Sequence, residues 1–306
     1  MPHSLRPLLL ALSLGLALPA LGEDTPAAPT DNAPAPADNT GQGERPALEE
    51  RSAEGAMALE RRLPATEQQL LGAEDETFLA LWKPANVGDA TGVVILIPAT
   101  GEHADWPNVI GPLRSKLPDA GWSSLSLTLP DPAPALDTTP LTDTGAPDGT
   151  APATSDNPQS SVKDPATRIL ARIEAGIAFA EQQQAKDIVL LGHGDGAYWS
   201  ARFLAERKPA KVKHLLVIAA QVPTGAKPSL EELIPGLRLS TGDLYYKEQN
   251  ADRSAASRRL QASKRLQHPT YSQVGLTALP GNQDAEQEQL YRRARGWLDK
   301  VLPTAK

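Results

Sequence analysis

The sequence predicts an α/β protein with a mostly parallel central sheet and helices on both of its faces. Short runs such as Val93–Pro98 (VVILIP) and Ile188–Gly192 (IVLLG) are apolar at nearly every position, as strands buried on both faces must be. Helical periodicity separates such runs, as in Ile169, Leu170, Ile173 and Ile177. One run ends in a glycine-rich turn, Gly192-His193-Gly194-Asp195-Gly196, that passes directly into a helical pattern. Strand alternating with helix is the signature of a parallel sheet covered on both sides.

Residues 1–22 (MPHSLRPLLLALSLGLALPALG) place Arg6 ahead of an apolar run from Leu8 to Leu18, and Ala20-Leu21-Gly22 offers small residues for cleavage. That is the three-part layout of a secretory signal peptide, and the run is well short of the roughly 20 residues a membrane helix needs. The chain holds no cysteine, which excludes disulfides and attachment through a lipidated cysteine. Export without disulfides predicts a periplasmic protein whose core is large enough to need no covalent staples. Cleavage removes one arginine and no acid, so the formal charge moves from −7 to −8. Such an acidic chain offers nucleic acid no electrostatic footing, and no transmembrane segment is expected after cleavage.

Residues 23–47 contain five prolines and almost no large apolar side chain, and read as a disordered leader. The segment 131–164, with six prolines, six aspartates and Lys163 as its only base, has the same character. It lies between a predicted strand and a predicted helix, so it reads as an insertion within one domain spanning 48–306. In that domain Gln68–Leu71 and Thr77–Trp82 read as an antiparallel pair turning through Gly72-Ala73-Glu74-Asp75. Pro107–Leu117 suits a helix and Trp122–Leu129 a strand. Beyond the insertion come a helix over Gly196–Glu206, strands at Val212–Ala219, Leu237–Ser240 and Tyr271–Leu279, and a last helix carrying Leu290, Ala294, Trp297, Leu298 and Val301 on one face. Lys247–Arg265, with six bases against two acids, reads as an exposed amphipathic helix or as a dock for an anionic envelope component.

A strand that ends in Gly-x-nucleophile-x-Gly and turns at once into a helix resembles the nucleophile elbow of the α/β-hydrolase superfamily. Gly192 and Gly196 stand at the two positions where strand and helix nearly touch. Ile95–Gly101 with Ala104-Asp105-Trp106 resembles that family's strand and oxyanion loop (Thr100, Gly101, Glu102), and Leu237–Asp243 resembles the strand carrying its acid. The chain looks in particular like a bacterial branch of secreted α/β-hydrolase-like proteins classified as a domain of unknown function. The resemblance implies an α/β-hydrolase fold over about residues 65–302.

The same resemblance places the nucleophile at Gly194, which has no side chain to attack with. Glycine does adopt the strained backbone of that turn without steric cost. The family's histidine falls at Leu279-Pro280-Gly281-Asn282-Gln283, where none stands, so only the acid, Asp243, remains of the triad. His193 reads as a support of the turn. Asp195 is expected to keep its backbone N–H in the oxyanion-donor place, with a carboxylate that opposes a developing oxyanion.

Two classes of function follow. One is a non-catalytic binding or interaction module for a small molecule or an envelope component, with no cofactor. The other is an esterase-like hydrolase with displaced machinery, in which His103, Asp195 and Asp243 converge at the strand ends for acid–base or metal chemistry. A purely structural envelope protein would show no closed pocket there. Tyr198, Trp199, Tyr245 and Tyr246 are candidates to line such a pocket or to pack in the core.

Overall fold

The computed structural model describes residues 50–132 and 164–302. The expected signal peptide at 1–22, the leader at 23–47, and all but the ends of the 131–164 insertion lie outside the described residues.

The chain enters through a helix, α1 (Arg51–Arg62), which the sequence pattern does not predict because Leu59 is its only buried residue. Leu59 packs with Leu79, Leu81 and Ala104. A hairpin of β1 (Gln68–Ala73) and β2 (Glu76–Lys83) follows. Its turn is tighter than expected, because Gly72 and Ala73 stay in the ladder opposite Thr77 and Glu76. Only Glu74 and Asp75 turn, with Glu74 at φ +55°, the positive value that two-residue hairpin turns favour.

The remaining elements alternate. They are β3 (Gly92–Ile97), α2 (Ile110–Lys116), β4 (Trp122–Leu127), α3 (Pro165–Gln182), β5 (Ile188–His193), α4 (Gly196–Arg207) and β6 (Val212–Ile218). After them come α5 (Leu230–Leu237), β7 (Ser240–Tyr246), α6 (Asn250–Arg265), β8 (Tyr271–Leu276) and α7 (Gln283–Val301). The strands form one sheet in the order β1-β2-β4-β3-β5-β6-β7-β8. β1–β2 and β2–β4 pair antiparallel, and every other pair is parallel.

Side-chain alternation divides the core into two layers. Val93, Ile95, Ile97, Leu190, Leu215 and Val217 pack with residues of α3, α4 and α5. Val94, Leu96, Val189, Leu191, Leu216 and Ile218 pack with residues of α2 and α7. Because strand side chains alternate, these apolar runs supply both layers at once, and the sheet is covered on both faces.

Two sequence expectations are corrected in the C-terminal half. The strand expected at Leu237–Ser240 starts at Ser240, and Leu237 is instead the last residue of α5. That helix is started by a capping box in which Ser229 and Glu232 exchange hydrogen bonds, and it buries Leu230, Leu233 and Ile234 at helical spacing. The basic helix within Lys247–Arg265 is not exposed along its whole length. Arg259 is only 1% exposed and is paired with Asp243, so one of the six bases serves the interior. Among the described residues, no helix is long and apolar enough to cross a membrane.

Candidate functional site

The five residues Gly192–Gly196 form the bend between β5 and α4. Two glycines there are demanded by packing. A Cβ on Gly192 would lie 2.4 Å from the Ala197 Cα, and one on Gly196 would lie 2.3 Å from the Ile97 carbonyl oxygen. Both obstacles are backbone, so neither can move aside like a side chain. Gly194 sits at the apex with φ +55°, in the left-handed region that glycine enters freely. Its N–H donates to the Ile218 carbonyl at 3.0 Å, and its own carbonyl accepts from the Gln221 N–H at 2.9 Å. A Cβ at Gly194 would come within 2.8 Å of the Ala99 Cβ. The direction in which a side chain would leave the apex is therefore filled by the loop after β3.

That loop is tied to the bend by Asp195. The Thr100 N–H donates to Asp195 Oδ1 at 2.6 Å, and the Thr100 hydroxyl donates to Oδ2. A carboxylate of the protein thus takes a backbone donor of the loop Thr100-Gly101-Glu102. An oxyanion needing that donor would meet a negative charge already seated on it. Gly101, at φ +80°, lets the loop reverse.

His193 is not only a support of the turn. Its Nδ1 lies 2.8 Å from Glu102 Oε2, and the same oxygen accepts the Ala99 N–H at 2.9 Å. The two side chains are 16% and 11% exposed. A carboxylate only accepts, so Nδ1 carries the proton in this bond. Sequence reasoning misses this pair because its members are 91 positions apart and no local spacing links them.

The three displaced residues are not brought together. Asp243 lies within β7 opposite Val217, not at the strand's end. Leu244 and Tyr246 face the α7 side, so alternation turns Asp243 to the opposite face and toward α6. There Arg259 holds it through Nε at 2.8 Å and Nη2 at 2.9 Å. Tyr271 and Gln273 also donate to it, and Asp243 is fully buried. It is a buried structural anchor, which corrects the reading of Asp243 as the strand-end acid. His103 accepts the Asp105 N–H through Nδ1 at 3.1 Å and meets Trp106 edge-on, and burial holds its pKa below the usual value. No hydrogen bond links any two of His103, Asp195 and Asp243, and among the described residues no group of three metal-ligating side chains is placed to hold an ion.

The other described histidines make aromatic contacts. His214 is buried in β6 edge-on to Trp297, and His268 precedes β8. Tyr198 is fully buried, with its hydroxyl donating to the Lys227 carbonyl at 3.0 Å.

A cavity of about 550 Å³ opens beside His193 and Glu102, between the ends of β5 and β7 and the start of α7. Trp106, Tyr246, Gln249 and Glu286 also line it. Its volume lies within the range of small-molecule sites. One wall is cross-braced, because Gln283 of α7 donates to the Asn108 side chain and Gln287 donates to the Pro107 carbonyl. Burial and the neighbouring Glu286 carboxylate push the Tyr246 phenol well up, so it stays protonated.

Over residues 5–300 the sequence matches the model of a family described as "Protein of unknown function (DUF3530)". No curated protein matches it. Among solved structures, the chain is similar to Est1E from Butyrivibrio proteoclasticus, at TM-score 0.52 and 12% identity over 76% of this chain and 99% of that one. It is similar to the Pyrococcus furiosus esterase Pf2001 at TM-score 0.53 and 12% identity, over 76% and 89% of the two chains. Proline iminopeptidase from Mycobacterium smegmatis aligns at TM-score 0.51 and 10% identity, over 76% and 98%. At such identities the likeness shows a shared fold, and that fold is the α/β-hydrolase fold.

Proposed function

Since the chain belongs to the DUF3530 family and folds as an α/β-hydrolase, we propose that it is a periplasmic binding or interaction module that performs no covalent acyl transfer. One observation carries this reading. The apex of the bend is Gly194, which has no side chain to attack with, and a Cβ there would come within 2.8 Å of the Ala99 Cβ. Two further features support it: Asp195 engages the Thr100 donor, and no histidine stands among Leu279–Gln283. The esterase-like alternative built on Asp195, His103 and Asp243 has no geometry in its favour, because each of the three is bonded elsewhere. The periplasmic assignment rests on the layout of residues 1–22 and on the absence of cysteine.

The reading is tested by ester turnover in the wild type and in Gly194→Ser. Neither is expected to hydrolyse p-nitrophenyl acetate above the uncatalysed rate. The serine variant is expected to lose about 1–3 kcal/mol of stability in urea unfolding, from the left-handed backbone and the 2.8 Å approach to Ala99. Adding Ala99→Gly should return part of that loss. Turnover by the wild type that disappears in Asp195→Ala would overturn the proposal.

A further inference from the structure

We propose that the cavity beside the His193–Glu102 pair is a binding site for a small organic amine, a ligand that presents one or more ammonium groups. This rests on the non-covalent reading above and adds the ligand class. Glu102 and Glu286 bring two carboxylates to the cavity, and no lysine or arginine is among the described residues that line it. Glu286 spends Oε2 on the Leu279 N–H at 2.9 Å. Glu102 spends Oε2 on Ala99 and His193. Each carboxylate still has lone pairs available, because an ionised carboxylate can accept about four hydrogen bonds. The His193 Nδ1 proton is committed to Glu102 and is not offered to a ligand.

The site is therefore rich in acceptors and negative in sign. A phosphate, sulfate or carboxylate ligand would face two like charges with no lysine or arginine on the walls to offset them. A neutral polyol would satisfy the acceptors but would leave the charge uncompensated. An ammonium group satisfies both, with three donors on a compact positive charge. Trp106 and Tyr246 supply aromatic surface beside it, which favours a cation further. The bracing of Gln283 and Gln287 on residues 107 and 108 keeps that wall in place before a ligand arrives.

The test uses the full chain and three four-carbon probes: 1,4-diaminobutane, 1,4-butanediol and succinate, each followed by titration calorimetry and thermal shift. The diamine is expected to bind and to raise Tm, while the diol and the diacid do neither. Glu286→Gln keeps an acceptor for the Leu279 N–H but removes the charge, and is expected to weaken diamine binding about fivefold to tenfold. Glu102→Gln should weaken it similarly, and both variants are compared with wild type by circular dichroism to establish that they fold. No heat or Tm change with the diamine, binding unchanged in both folded variants, or succinate binding as tightly would each overturn the proposal. Following p-nitrophenyl acetate in the same samples separates the two ideas. Turnover would sink the non-covalent reading, whereas an absence of amine binding without turnover would sink this one alone.

Discussion

Replacing Arg259 by alanine is expected to destabilise the protein by about 3–5 kcal/mol in chemical denaturation, among the largest effects of any side-chain truncation in the molecule. Asp243 is 0% exposed and its partner 1% exposed, so removing the guanidinium strands a carboxylate where water does not reach. Tyr271 and Gln273 remain as donors, but both are uncharged. Removing one member of a buried pair costs far more than replacing both by apolar groups of similar volume. The double variant Asp243→Leu with Arg259→Leu should therefore recover much of the stability lost in Arg259→Ala. Stability nearly unchanged on removal of Arg259 would contradict the role of Asp243 as a buried anchor.

The second large effect is expected at Gly196. Its substitution by alanine places a Cβ 2.3 Å from one backbone oxygen and 2.4 Å from another, on Ile97 and Pro98. β3 and α4 must then separate, which pulls apart the core on both sides of the bend. A loss of more than about 3 kcal/mol, or failure to accumulate as folded protein, is expected. Gly192→Ala should behave alike, because its Cβ would meet the Ala197 backbone. Gly236→Ala is the matched control. It lies in α5 with open space where a Cβ would go, and should be neutral or stabilising by about 0.5–1 kcal/mol. Urea unfolding of the three variants checks the contrast. Equal effects at Gly196 and Gly236 would mean that the approach of helix to strand is looser than described.

The parts of this fold that were legible in the sequence are those whose signals are local. Val93–Ile97 and Ile188–Leu191 are apolar at successive positions because both faces of those strands are covered, and any reader of the pattern finds them. The bend at Gly192–Gly196 was legible for the same reason: close approach admits only small residues, and it leaves glycines at fixed spacing. What failed was local signal that tertiary structure reassigns. Asp243 follows a run that reads as the end of a strand, yet the strand only begins at Ser240, so the residue falls at its centre and turns inward. Arg259 looks like one more base on a solvated helix until its partner across 16 positions is known. The His193–Glu102 pair is beyond reach for the opposite reason, since nothing in either residue's neighbourhood points to the other. The hairpin turn reads as four residues wide because Gly72 reads as a breaker, whereas an edge strand admits it without a clash.

The apex of the β5–α4 bend holds no attacking atom, and a Cβ there would crowd Ala99. Intact-mass spectrometry of the full chain after incubation with a fluorophosphonate tests it most directly. The expected result is an unchanged mass, for the wild type and for Asp195→Ala alike. A single stoichiometric adduct mapped by peptide digestion to residues 192–196, and lost when one of them is altered, would contradict the account.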